Sequence, residues 1–373
     1  MRTARILLAV LLVVLFTLPI SAEGEYTSDD FDLSEILASL PEDVRARLPE
    51  GDLFESDRFV ERFSIEYFVS LIGEAAVAAL SPALKTLCKV LGLIIIASVL
   101  SALRGTVDSK SLCVPFEFIS GLCIMLTLYS SATSLVDSAE LYLSQLSNIV
   151  NAMIPVTVAV GTVGGNASAS VVSGSAMLLG LSAVEMLAKE WLYPILQLCF
   201  GLSVASGLGA VPGLNGISKA VRGTFTWVLG LTTALISAVM TFQTSIAARA
   251  DSLSMRALKF AASKTVPVVG SLASDAVSAV AESLALVKAT VGWGGVIIIA
   301  VLTLPVVINV IFTRMSVIIA AVAADVLGLE REKRILEEIA GVLGSLAAIC
   351  VIAALMFVYA LAVFAKSAVA MSA

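Results

Sequence analysis

Ser271, Ser274, Asp275, Ser278 and Glu282 recur at i, i+3, i+4, i+7 and i+11, which puts three hydroxyls and two carboxylates on one helical stripe. Val277, Val280, Leu284 and Val287 form a separate apolar stripe on the same stretch. A row of this kind hydrogen-bonds water, another protein or the wall of a cavity, because two ionised carboxylates facing lipid are costly. The stripe is therefore a candidate pore lining or subunit contact, or else one face of an interfacial helix turned to bulk water. Three more carboxylates, Glu117, Glu185 and Asp325, sit singly in apolar stretches and are candidates for polar contacts between helices or subunits. Lys85 and Lys89 lie near the start of another such stretch, where their long stems let the ammonium groups snorkel to an interface.

The chemistry on offer is contact and passage rather than catalysis. The chain has no histidine, which removes the usual general acid or base, the commonest metal ligand and any Ser–His pairing. It has no P-loop, no Rossmann glycine fingerprint and no Cys/His cluster with zinc spacing, so no cofactor, metal or ATP coupling is expected. Cys88, Cys113, Cys123, Cys199 and Cys350 are odd in number, lie in apolar segments and form no Cys-x-x-Cys pair, which suits small core hydrophobes rather than disulfides. With a net charge of −6 and no basic patch interleaved with aromatics, nucleic acid is not an expected partner.

The elements that carry these residues are dictated by composition. The chain is 59% hydrophobic and only 14% charged over 373 residues, with a mean hydropathy of +1.01, whereas soluble domains carry about 25% charged residues. The fold class is all-α, a polytopic helical membrane protein. Arg2 and Arg5 precede a short apolar run over 6–16 that exits through "LPISA" before Glu23, the layout of a cleavable signal peptide over 1–22, with a plain anchor as the alternative. Cleavage would leave the mature N-terminus extracytoplasmic. Residues 23–68 form an acidic segment, with 14 Asp or Glu against 4 Arg between Glu23 and Glu66. Helical spacing of Phe31, Leu33, Ile36, Leu37 and Leu40, and a short "LPEDVRARLPEG" helix, predict a small extracytoplasmic helical unit; disorder is the alternative.

The polytopic membrane domain is expected over 69–373. Apolar stretches of about 20 residues, the length that spans hydrocarbon, fall at 84–103, 112–136, 167–188, 193–211, 226–248, 292–312 and 342–364. Shorter stretches at 149–163 and 315–329 suit half-spans, re-entrant hairpins or tilted short helices, so seven to nine membrane segments are expected. Two stretches are interrupted, one by Pro155, Gly164 and Gly165, the other by Pro267 and Gly270, and helix breaks at membrane depth line cavities or pack inside protein. Ahead of the second break, Arg256, Lys259 and Lys264 make residues 249–290 read as a basic helix at the headgroup boundary followed by a restarted helix, its cations in reach of anionic lipid.

The stretches "MIPVTVAVGTVGGNASASVV", "FQTSIAARADSLSMRALKFAASKTVPVVG" with its restart at "SLASDA", and "VGWGGVIIIAVLTLPVVINVI" resemble the stage III sporulation protein AE family of endospore-forming bacteria. Phe242, Asp251, Pro267 and Gly270 match that family's pattern, whereas "MSVIIAAVAADVLGLEREKRI" lacks a proline found there. The resemblance implies a multi-pass protein of the mother-cell membrane around the forespore. It implies partners too: other membrane proteins of a secretion-like channel complex, a forespore membrane protein, and further copies in a homo-oligomer. Such a complex supports forespore integrity and late, forespore-specific sigma-factor activity. No catalytic residues come with it. The rival expectation from the residues alone is a self-contained secondary transporter with a site at the breaks near Pro155 and Pro267.

Overall fold

The computed structural model describes residues 42–45, 65–103, 110–163 and 270–369, with single positions between 171 and 242. These form α1 (Glu42–Arg45), α2 (Ile65–Leu103), α3 (Lys110–Val163), α4 (Gly270–Val326) and α5 (Glu330–Val369). No strand occurs among the described residues. Four helices there are long and apolar enough to cross a membrane, over Glu66–Ala102, Ile119–Ala159, Gly294–Val326 and Glu330–Tyr359. The signal segment 1–22, most of the acidic segment and the stretches 167–188, 193–211 and 226–248 lie wholly or largely outside the described residues. Within the acidic segment, α1 is one helical turn whose Val44 is buried against the bundle core.

The buried positions explain why these residues make long helices that pack together. On α3, Leu128, Ala132, Leu135, Ala139, Tyr142, Leu146, Ile149 and Met153 are all buried, at alternating spacings of four and three. That is a heptad seam, the period that keeps one face of a helix against its neighbours. On α5, Ile335, Ile339, Val342, Leu346, Ile349, Ala353 and Met356 repeat the pattern. Helix α4 differs, because every residue from Gly294 to Leu304 is buried, as expected of a helix surrounded on all sides. It packs most extensively on α5, then on α2, and also on α3, while α2 and α5 have no substantial contact and so lie on separate flanks of α4.

Three expectations change here. The stretches 112–136 and 149–163 are parts of one 54-residue helix, α3, which runs through Pro155 without a break. Likewise 292–312 and most of 315–329, up to Val326, join the polar-striped stretch that begins at Gly270 in the 57-residue α4, so 315–329 is not a separate half-span. The reason is that hydropathy averages over all faces. "DSAELYLSQLSN" reads as a loop between spans, yet its Val136, Ala139, Leu143 and Leu146 are buried and keep the helix going. Proline at 155 removes the hydrogen bond to the Asn151 carbonyl, a loss that membrane helices tolerate when neighbouring helices pack on both sides of it; Met153 and Thr157 on either side are buried.

At 1.5 Å per residue, α3 and α4 are each about 80 Å long, against roughly 30 Å of hydrocarbon. Each therefore carries well over a span's length of helix. The α4–α5 connection is tight. Gly328 has φ 72°, Leu329 N–H donates to Ala324 O at 2.9 Å and Gly328 N–H to Asp325 O at 3.0 Å, the Schellman closure for which glycine is suited.

One buried polar knot ties three helices. Tyr142 Oη of α3 lies 3.0 Å from Thr303 Oγ1 of α4 and donates to the Cys350 carbonyl of α5 at 3.1 Å. Thr303 Oγ1 also lies 2.6 Å from the Ile299 carbonyl, so with the Tyr142 hydrogen given to Cys350, the Thr303 hydrogen is shared between the Ile299 carbonyl and Tyr142 Oη. Tyr142→Phe, which deletes only the hydroxyl, should lower stability by about 1 kcal/mol, and Tyr142→Ala by roughly 3–5 kcal/mol through the added cavity. Thermal unfolding of the full chain in detergent measures both, and identical melting of Tyr142→Phe and the native protein would show that the knot adds nothing.

Candidate polar sites within the helical bundle

The residues singled out from the sequence are scattered by the fold. Ser271, Ser274, Asp275, Ser278 and Glu282 fall in the first turns of α4, on one continuous helix with the apolar span; of residues 270–293 only the backbone is described. Gly270 is the first residue of that helix, while Pro267 lies outside the described residues, as do Gly164, Gly165, Glu185, Arg256, Lys259 and Lys264. Glu117 is in the second turn of α3, with its side chain outside the description. Asp325 is at a helix end. It sits in the last turn of α4 and pairs with Lys333 of α5 across the turn, Nζ to Oδ1 2.8 Å, with about half of its side chain exposed. An acid at a helix C-terminus and a lysine in the first turn of the next each oppose their helix dipole, and pairing offsets both.

What the fold does bring together comes from residues that were not singled out. Pro82 of α2 and Pro305 of α4 both stand inside their helices, and both line one cavity of about 370 Å³ between them. Leu71, Ala75 and Ala79 form its apolar wall, and Glu74 and Asn309 supply its polar groups. Each proline leaves the carbonyl four residues back, Ala78 and Val301, without its helical donor. Thr86 Oγ1 donates to the Pro82 carbonyl at 3.0 Å, a side-chain bond in the turn after the proline that does not reach the freed Ala78 carbonyl. Asn309 Oδ1 is buried and has no hydrogen-bond partner. Pro305 and Asn309 lie near the middle of the apolar span Gly294–Val326.

Five residues beyond Asn309, on the side of α4 turned to α5, is Arg314. It is the one charged residue of α4 between Gly294 and Asp325. Its guanidinium rests where Gly344 has no side chain: a Cβ on Gly344 would lie 2.9 Å from Cζ and 3.1 Å from Nη1. Its Nε is buried without a hydrogen-bond partner. The charged α4–α5 turn is eleven residues away, about 17 Å along the helix, too far for the side chain to snorkel to it. Gly344 is likewise near the middle of its span, Glu330–Tyr359.

A third polar contact joins α3 to α5. Glu332, only 4% exposed, accepts a hydrogen bond from Ser120 Oγ at 2.8 Å, and Glu338 is as deeply buried one and a half turns on. In the sequence both glutamates look like part of a solvated charge run, "EREKRILEEI". The signal available for Arg314 was its isolation in an apolar run, and for Glu74 its place in "LIGEAAVAAL", before the stretch that hydropathy marks as spanning. No three His, Cys, Asp or Glu side chains gather into a metal-binding group among the described residues.

Long, apolar, mutually packed helices with a few charges held inside define a helical integral membrane protein. The family model described as Stage III sporulation protein AE matches residues 56–368, nearly the whole chain, and the chain belongs to that family. It is thus a sporulation-related membrane protein. No curated protein and no solved structure matches it.

The seat of Arg314 makes a specific prediction. Gly344→Ala should cost about 1 kcal/mol by pushing the guanidinium off α5, but in an Arg314→Ala background the same change should be neutral or stabilising, since alanine favours a helix over glycine. A double-mutant cycle of thermal unfolding reads the difference; equal effects in both backgrounds would contradict the contact.

Proposed function

We propose that the chain is a non-enzymatic membrane subunit of a secretion-like channel complex between mother cell and forespore, supporting forespore development and late sigma-factor activity. On this reading it resides in the mother-cell membrane around the forespore, with its acidic N-terminal segment on the extracytoplasmic side. There it meets a forespore membrane protein and the other membrane proteins of the complex, and it assembles with further copies of itself. Membership of the sporulation family supports the setting.

The observation that carries the reading is the outer face of α3. Opposite its heptad seam, Ser130, Ser134, Asp137, Ser144, Asn148 and Asn151 are all exposed, with Leu141 the one apolar member of the row, on a helix whose candidate span is Ile119–Ala159. From Ser130 to Asn151 is about 32 Å of helix, close to the roughly 30 Å thickness of hydrocarbon. A polar face of that length is expensive against lipid and favourable against water or polar partners. It is the surface a subunit would turn toward an aqueous passage. Ser271, Ser274, Asp275, Ser278 and Glu282, on the first turns of α4, are a second candidate lining by their helical spacing. The transporter alternative loses one of its two breaks, because α3 is continuous through Pro155.

The test uses single cysteines in a chain whose native cysteines are replaced. Ser144→Cys and Asn148→Cys should react with a charged, water-borne methanethiosulfonate in the assembled complex, while Ile95→Cys, on an exposed apolar position of α2, should not. Modification at 144 or 148 should reduce late forespore-specific transcription from a reporter. Protection at both positions together with full reporter activity would rule out a wet α3 face, and substrate uptake by the purified protein alone would favour a transporter.

A further inference from the structure

We propose that Glu74 of one copy of the chain pairs with Arg314 of the next, so that copies associate head to tail through the α2 flank of one bundle and the α4–α5 flank of its neighbour. The inference rests on the homo-oligomeric part of the reading above and names the contact that would build it.

Two opposite charges are left over within about 8 Å of one another along the bundle axis. Arg314 has a buried Nε without a partner, and Glu74 is exposed on α2 within the apolar helix Glu66–Ala102. Neither meets an opposite charge among the described residues. A charge at hydrocarbon depth needs a counter-charge or water, and neither side chain can use lipid tails for that. Glu74 lines the same cavity as Pro305 and Asn309, which sets its level on α4, and Arg314 lies five residues past Asn309, about 8 Å along the axis. Copies in one bilayer share their depth, so an extended glutamate and arginine can bridge that offset between neighbours.

Position on the bundle decides why the pair forms between copies. Glu74 stands on α2, Arg314 is turned to Gly344 of α5, and α2 and α5 lie on separate flanks of α4. Within one copy the central helix stands between the two charges. Between copies the two flanks are complementary in charge and different in identity, which is the definition of a heterologous contact, and such contacts close into rings when the rotation permits. The notch at Gly344 helps, because small residues let membrane helices approach closely.

Two differently tagged populations of the full chain, free of native cysteines, are co-expressed in one membrane, one carrying Glu74→Cys and the other Arg314→Cys. A short bis-maleimide should link the two tags at least ten-fold more than it links Leu126→Cys with Arg314→Cys. Oligomer size in detergent is then measured for Glu74→Arg, Arg314→Glu and the double exchange. Each single reversal should break the oligomer and the double exchange should restore it, a rescue that a merely misfolded variant does not show. Native-size oligomers in all three variants, linkage only within a chain that carries both cysteines, or oligomers held by anionic lipid whatever stands at residue 74 would each overturn the proposed pair while leaving the channel-subunit reading in place. A native chain that is monomeric would overturn both.

Discussion

Everything in the described bundle depends on α4 being apolar all round. Its run from Gly294 to Leu304 is buried at every position, so α4 has no outward face there and its neighbours must enclose it. Enclosure fixes the rest. α5 returns along α4 through the three-residue turn at Leu327, Gly328 and Leu329; α2 covers the flank at Pro305; and α3 closes the side on which Tyr142 meets Thr303. In lipid the hydrophobic effect gives no net drive between helices, and close packing and hydrogen bonds must hold them. Gly295 shows the packing side of this requirement, since a Cβ there would meet Met153 and would lie 2.8 Å from Leu361 Cδ1.

The polar groups fall into two classes by what surrounds them. Tyr142, Thr303 and the Cys350 carbonyl satisfy one another inside the bundle, as do Ser120 and Glu332. These contacts hold helices in register and leave no polar atom of the knot seeking an external partner. Asn309, Arg314 and Glu74 behave differently, with unpaired atoms or exposure at the level of the apolar spans. Closed polar contacts serve the fold of the single chain, and open ones are where water or a second molecule must come in. The exposed hydroxyls and amides along α3 belong with the open class.

The all-helical membrane class was legible from composition, and the family from quoted stretches that lie between Met153 and Ile311. The division into spans was less so. A hydropathy window reports the mean of all faces, and it separated 112–136 from 149–163 because Asp137, Glu140, Ser144 and Asn148 pull the mean down. In the structure these residues share one exposed face of a helix whose other face, from Leu135 to Met153, stays buried. Pro155 misled for a related reason: proline predicts a break from local chemistry, while packing on both sides of it holds the helix straight through. Asp325 looked like an intramembrane acid because the apolar run continues past it to Leu329, yet the turn at Gly328 puts it at a helix end beside Lys333.

The sequence by itself determined what every residue can do locally: that this chain enters membranes, that it carries no histidine, and that its long apolar stretches form helices. Only the tertiary structure decided which of those helices meet. That Pro82 faces Pro305, that Arg314 rests on Gly344, and that Glu74 and Arg314 lie on opposite flanks of α4 are relations between positions up to 240 residues apart. Periodicity says which face of a helix is buried, but carries no information on the helix it is buried against. That choice is made by shape, by hydrogen-bond partners and by the length of the connections, and it exists only once the chain has folded.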